Sequence, residues 1–220
     1  MYPFEDTIDT LEQVEPGVYL EHVFPDEVQE ISTEYEQPQL IFGSLEKSEG
    51  IEIQAGVLDD AVACYSACAP ELGAQALSQQ QLIDMLKAEG LYTDGCGMSE
   101  KDVEHCFMRL AQTDDTKVYV ECEELNGLNE LCIYVDSGDV VICYVNAAAL
   151  ESDSLAQMPG LNADHFVRVS GVDLSGENEY VHIQDSASLQ GETKAIPLGR
   201  FLKAWNTGNF YTITAHAREK

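Results

Sequence analysis

Four side chains, at three places far apart in the chain, are the ones whose types could combine into chemistry: Gln54 and Asp60, His165, and Asp185. An imidazole takes up and releases protons near neutral pH. A carboxylate beside it can hold its orientation and stabilise its charged form. An amide such as that of Gln54 can donate to a developing oxyanion, and a group at the start of a helix lies in the positive end of the helix dipole. Taken singly, none of the four is distinctive. A histidine at a strand start is usually packed or on the surface, an aspartate at a strand end forms turns, and Asp60 alone is an ordinary N-cap.

The elements that must position these groups can be read from periodicity. Ile51–Gln54 reads as a short extended piece. From Asp60 to about Leu72 the spacing is helical, with Ala61, Cys64, Tyr65 and Cys68 on one face, Asp59 or Asp60 as N-cap and Pro70 near the end. Ser78, with Gln81 completing a capping box, predicts a second helix that carries Leu82, Met85 and Leu86 inward and stops at Gly90. Ser99 predicts a third, over about 100–111, with Val103, Cys106, Phe107 and Leu110 inward. The period then changes. Lys117–Cys122, Val140–Asn146, His165–Val172, Tyr180–Asp185 and Phe210–Ala215 read as strands, Leu128–Val135 as a helix ending before Ser137, and Phe201–Trp205 as part of a short helix. Helices first and antiparallel strands afterwards predict an α+β domain over residues 51–220, with one helical lobe packed on one sheet lobe.

Composition bounds the function classes. The chain has 220 residues, 45% of them apolar, enough for a sizeable core. Its 40 Asp+Glu against 11 Lys+Arg give a net charge of −29. That balance argues against nucleic acid or an anionic membrane surface as a partner, because phosphate binding needs a basic stripe. It suits a basic peptide or protein partner, or a high-salt host. Residues 1–50 hold 13 acidic residues and one basic residue, Lys47, and read as an irregular acidic arm docked in part through clusters such as Val18–Leu20 and Leu40–Phe42. The longest apolar runs, such as Val140–Val145, are of strand length, so no membrane span is expected. The first residues lack a basic and then an apolar stretch, so no signal peptide is expected. Seven cysteines, an odd number without a CxxC pair, suggest reduced thiols in a cytoplasm.

No metal or cofactor is expected. His105 and Cys106 are adjacent and point to different sides of a helix, Asp94–Gly97 lacks the further oxygen ligands of a calcium loop, and no phosphate or dinucleotide loop is present. Cys132, Cys143 and Trp205 read as core, and His182, alternating with Val181 and Ile183, as the opposite sheet face.

In their order along the chain the four residues resemble the papain-like cysteine peptidases, and among them the bacterial double-glycine (bacteriocin-processing) group. QAGVLDDAVAC, with Gln54 and Ala63, is similar to the family's Gln-x5-Cys-Gly-x-Ala stretch. ADHFVRVSGVD, with His165, resembles its histidine strand, and YVHIQDSAS, with Asp185, the strand that ends in the orienting carboxylate. IPLGRFLKAW resembles its closing Phe-x3-Trp helix at Phe201 and Trp205, and CGMSEKDV the segment that opens its third helix. The likeness runs from about Ile51 to Ala215 and implies a papain-like two-lobe fold. The site it implies is a helix-terminal thiolate paired with an imidazole, with a glutamine amide as oxyanion donor.

At the nucleophile's position, six residues after Gln54, this sequence has Asp60, followed by Ala61 where the family has Gly. A carboxylate is a poor nucleophile toward an amide, and a helix N-terminus with an imidazole would stabilise its anion further. The resemblance therefore implies a pseudopeptidase that keeps the groove and binds a peptide or protein without cutting it. Two other functions stay open at this point. Cys64, one turn further along, could serve as nucleophile with His165 and Asp185 in an active cysteine peptidase or amidase, although its spacing from Gln54 becomes ten residues and it leaves the helix end. Or the domain is purely structural or regulatory, with Asp60 acting only as a cap.

Overall fold

Alternation along β3 (Val140–Val145) sets the architecture. Val140 and Ile142 belong to one buried apolar cluster, and Val141, Cys143 and Val145 to another, because successive side chains of a strand point to opposite faces. A strand apolar on both faces needs cover on both. On one side the cover is α1 (Asp60–Cys68), α2 (Gln79–Glu89) and α3 (Glu100–Met108). On the other it is α4 (Leu128–Asp136), α5 (Ala147–Glu151) and α6 (Leu198–Asn206). The sequence reading expects one helical lobe against a sheet; α4 to α6 add a second helical layer, which places Trp205 and Phe201 in the core with no exposed surface. Burying each such side chain is worth about 1.5–3 kcal/mol.

These observations come from a computed structural model, which describes residues 40–45, 53–56, 58–96, 98–109, 117–155, 158–188 and 193–218. The expected acidic arm over residues 1–50 lies mostly outside them. Within its described end, Ile41–Gly43 forms a short strand, β1, which extends the sheet beside β4 (His165–Asp173) with Phe42 opposite Val172. Gly43 takes φ +69 there, and a Cβ would lie 2.3 Å from Val135, so both backbone shape and space require glycine. The remaining strands are β2 (Lys117–Glu124), β5 (Tyr180–Gln184), β6 (Thr193–Pro197) and β7 (Tyr211–Arg218). With β3 and β4 they run in the order β2-β7-β3-β4-β5-β6, every neighbouring pair antiparallel.

Three local expectations are corrected. α1 stops at Cys68 rather than near Leu72, because Pro70 has no N–H to continue the ladder, and the chain turns through Ala69–Gly73. The third helix ends at Met108 rather than at 111, and residues 110–116 fall outside those described. The extended piece expected at Ile51–Gln54 is not a strand over its described end, residues 53 and 54, which hydrogen-bond instead to Gln79 and Ser186.

What matters for the site is where the strands begin and end. Val145 pairs with His165, and Arg168 with Gln184. Antiparallel pairing therefore carries the start of β4 and the end of β5 to the same end of the sheet, where α1 begins.

Candidate functional site

α1 is buried almost all round: Ala61, Val62, Ala63, Cys64, Tyr65 and Cys68 are in the core. Such a helix has to enter the interior end-on, and its first turn comes up against β4. Its N-terminus differs from those of the next two helices. α2 and α3 each start with a full capping box, Ser78 with Gln81 and Ser99 with Asp102. At the N-cap of α1 stands Asp59, which makes no side-chain cap. Its Oδ1 instead accepts from the Tyr92 hydroxyl at 2.5 Å, and burial together with that hydrogen bond pushes the Tyr92 phenol up to about 12. Asp59 is thus the N-cap residue, one of the two the sequence suggests, but its side chain does not cap the helix.

Asp60 is the first residue of α1. Its Oδ2 accepts from the backbone N–H of Phe166 at 2.5 Å and lies 3.3 Å from His165 Nδ1. His165 opens β4, buried, and its Nε2 lies 2.8 Å from Asp185 Oδ1. Asp185 follows the last residue of β5; its Oδ1 also accepts from Ala187 N–H at 3.0 Å, and its Oδ2 lies 3.3 Å from Lys194 Nζ on β6. The imidazole is thus held between two carboxylates, one on each ring nitrogen. Burial alone would lower its pKa, but the hydrogen bonds to Asp185 and Asp60 and their charges outweigh burial and raise it to about 9. Asp185 is held down at about 2, against the opposing effect of its burial, chiefly by the bond to His165. At neutral pH the ring is therefore an imidazolium, paired with the Asp185 carboxylate.

Gln54 reaches the same place from the segment before α1. Its N–H donates to Ser186 O at 3.1 Å, its Oε1 accepts from the Ser186 hydroxyl at 3.0 Å, and its Nε2 donates to Gly56 O at 2.8 Å. The segment is pinned by a residue that sequence reasoning missed. Gln79, the first residue of α2, is buried; its Oε1 accepts from Ala55 N–H at 2.8 Å and its Nε2 donates to Ile53 O at 3.0 Å. Nothing in the run Gln79–Gln81 distinguishes it, since Gln81 is already explained by the capping box. Lys194 was missed as well, lying in a strand that the periodicity did not reveal.

His165, Asp185 and Gln54 line one cleft of about 800 Å³, walled by small residues such as Ala55, Gly56, Ala147 and Ala148. Asp60 lines a smaller cavity, about 70 Å³, which shares Leu58 and Asp164 with the cleft and also takes in Cys96. Cys64 lines neither. It is fully buried one turn into α1, 3.8 Å from the carbonyl of Phe166, and burial pushes its thiol well above the ordinary range. Cys68 is likewise pushed up to about 12 by burial. All seven cysteines are free. His182 is half-buried between the buried Val181 and Ile183. Among the described residues no cluster of three His, Cys, Asp or Glu could hold a metal ion, and no helix is long and apolar enough to cross a membrane.

With this geometry in hand, three comparisons bear on it. No protein-family model matches the chain. Uncharacterized proteins of Mycobacterium tuberculosis and Mycobacterium bovis are 36% identical to it over 95 residues, 40% of this chain and 39% of theirs. The chain thus matches well under half the length of these relatives. Among solved structures, a protein of Bacillus anthracis assigned as a C39-like peptidase has a TM-score of 0.57 at 15% identity, covering 80% of this chain and all of that one. Digestive procathepsin L 3 of Tenebrio molitor larval midgut has a TM-score of 0.53 at 14% identity, covering 84% and 72%. At such identities the likeness is one of fold: α+β and papain-like.

Proposed function

We propose that this chain is a papain-like domain without hydrolytic activity, which holds a peptide or protein in the cleft beside His165. The observation that carries the reading is Asp60 Oδ2, 3.3 Å from His165 Nδ1 at the mouth of α1. In the peptidases that the sequence resembles, that place belongs to the thiol. A carboxylate there makes an ion pair of the same charge pattern as thiolate and imidazolium, but attack on an amide would give an anhydride and expel an amine. The ring is also unsuited to act as base: its proton is retained to about pH 9. Glutamine, imidazole and second carboxylate nonetheless face a cleft large enough for an extended segment.

An active peptidase built on Cys64 is disfavoured by that thiol's full burial and raised pKa. A purely structural role is disfavoured by the cleft, onto which a buried imidazole and the Gln54 segment converge. The free thiols and the acidic balance suit a cytoplasmic protein without a nucleic-acid partner.

Incubation with a randomised peptide pool, read by mass spectrometry, tests the proposal: retention of intact peptides is expected. Cleavage, or selective labelling of Cys64 by iodoacetamide at pH 6, would overturn it, as would indifference to every peptide. Asp60→Cys adds a sharper measurement. The introduced thiol should alkylate at pH 6 much faster than a free thiol, because the dipole of α1 and the imidazole of His165 both stabilise its anion. Alkylation at the rate of an ordinary thiol would show that His165 does not serve position 60.

A further inference from the structure

The cleft already contains an alkylammonium group, and it belongs to the protein. Lys194 Nζ lies 3.3 Å from Asp185 Oδ2 and 3.4 Å from Glu151 Oε1, bridging the two sides of the cleft. The Asp185 end of this bridge is buried, whereas the Glu151 side chain is 69% exposed. Asp164, also exposed, lines the same cleft at the other end of α5, where its Oδ1 accepts from Ala147 N–H. The cationic groups lining the cleft, His165 and Lys194, are both already engaged by carboxylates. With Asp60 behind the ring, the carboxylates around His165 outnumber the cations. Ile53 and Leu58 give the rim an apolar surface, along which the methylene stem of a long side chain can lie.

We infer that the cleft selects peptides carrying a lysine side chain, whose ammonium group takes its place between Glu151 and Asp164, and that Lys194 is a built-in competitor for that position. The inference rests on the peptide-binding reading above and specifies its ligand. Lys194 already holds Glu151 Oε1, so an incoming lysine competes with it for that carboxylate, and Asp185 keeps hold of Lys194 from the buried side. The device favours a ligand that brings its own cation over a neutral one, because only the former can compensate Glu151 once its partner has moved.

This gives an expectation of unusual sign. Removing a positive charge that only props up the cleft should weaken binding, but removing a competitor should strengthen it. The probes are two capped octapeptide pools, randomised at the other positions, one with lysine fixed at a central position and one with norleucine there, which has a similar stem and no charge. Binding is read by equilibrium dialysis and mass spectrometry at fixed ionic strength. The wild-type protein should retain the lysine pool better than the norleucine pool. Lys194→Ala should tighten the lysine pool by about 2- to 5-fold, the range for an exposed ion pair, and move the norleucine pool less. Lys203→Ala, which removes the same charge from the exposed face of α6, should move neither by as much. Glu151→Gln should abolish the preference for lysine. Equal retention of both pools, or weaker lysine binding in Lys194→Ala, overturns the competitor assignment while leaving peptide binding intact. Retention of neither pool by wild type or variant overturns both.

Discussion

The N-termini of α1 and of α2 and α3 solve the same problem in opposite ways. Each leaves backbone N–H groups without partners inside the helix. At α2 and α3 the solution is local: Ser78 and Ser99 bond to residues three positions on, and their partners bond back. At α1 two acids stand at the helix mouth, and both look elsewhere, Asp59 to Tyr92 and Asp60 to Phe166 and His165. A helix start that keeps its polar groups for itself stabilises a helix. One that directs them to residues 33 and 106 positions away ties separate elements together and assembles a site.

The largest effect that would sharpen this contrast is Asp60→Ala. It leaves an imidazolium with one carboxylate and the Phe166 N–H with none, and should lower stability by about 3–5 kcal/mol, the usual cost of removing one partner from a buried pair. Urea denaturation at pH 7 measures it, and a loss no larger than that of an ordinary cap would erase the distinction.

The next effect is a dependence on pH. His165 keeps its proton to about pH 9 in the folded chain, whereas an unfolded histidine releases it near pH 6.5. A raised folded pKa contributes stability that is complete below the unfolded value and is lost as pH rises through the folded one. Stability should therefore fall by about 2–3 kcal/mol between pH 6.5 and 9. Asp185 acts in the other direction: its folded pKa is depressed to about 2, so its contribution is present above the unfolded value near 3.8 and is lost as pH falls through about 2. His165→Gln should flatten the alkaline arm. Denaturation midpoints across the range, compared between wild type and variant, decide it; an alkaline arm that persists in the variant would place the proton elsewhere.

The smallest effect belongs to the capped helices. Ser78→Ala and Ser99→Ala should each cost about 1 kcal/mol, independently of pH between 6.5 and 9, as thermal unfolding at two pH values would show. A pH-dependent cost would mean that these caps also communicate with the site.

The same contrast explains which features were legible. The Ser78 capping box, the Ser99 cap, the glycine stop at Gly90 and the apolar run Val140–Val145 depend on neighbours within a few positions, and the sequence revealed them. The start of α1 was legible as a position but not as a role: two adjacent acids before an apolar run read as alternative caps, because a cap is what local geometry offers. Gln79 was hidden behind Gln81, whose local explanation was complete. β6, with Lys194, was hidden by its short, mixed sequence at the sheet edge, and α5 by its brevity.

From its sequence alone this chain determined most of its element types, the caps of α2 and α3, the apolar faces of its main helices and strands, and the order in which a glutamine, an acid, a histidine and a second acid occur. Those properties depend on local conformation and on side-chain chemistry, which travel with the residue. Only the tertiary structure decided that Asp60 turns away from its own helix to hold a strand 106 positions distant, that the imidazole has a carboxylate on each nitrogen, and that a lysine bridges the cleft. The bonds that decide these points form between elements brought together by burial of two apolar faces, and no local pattern encodes the distance across that junction.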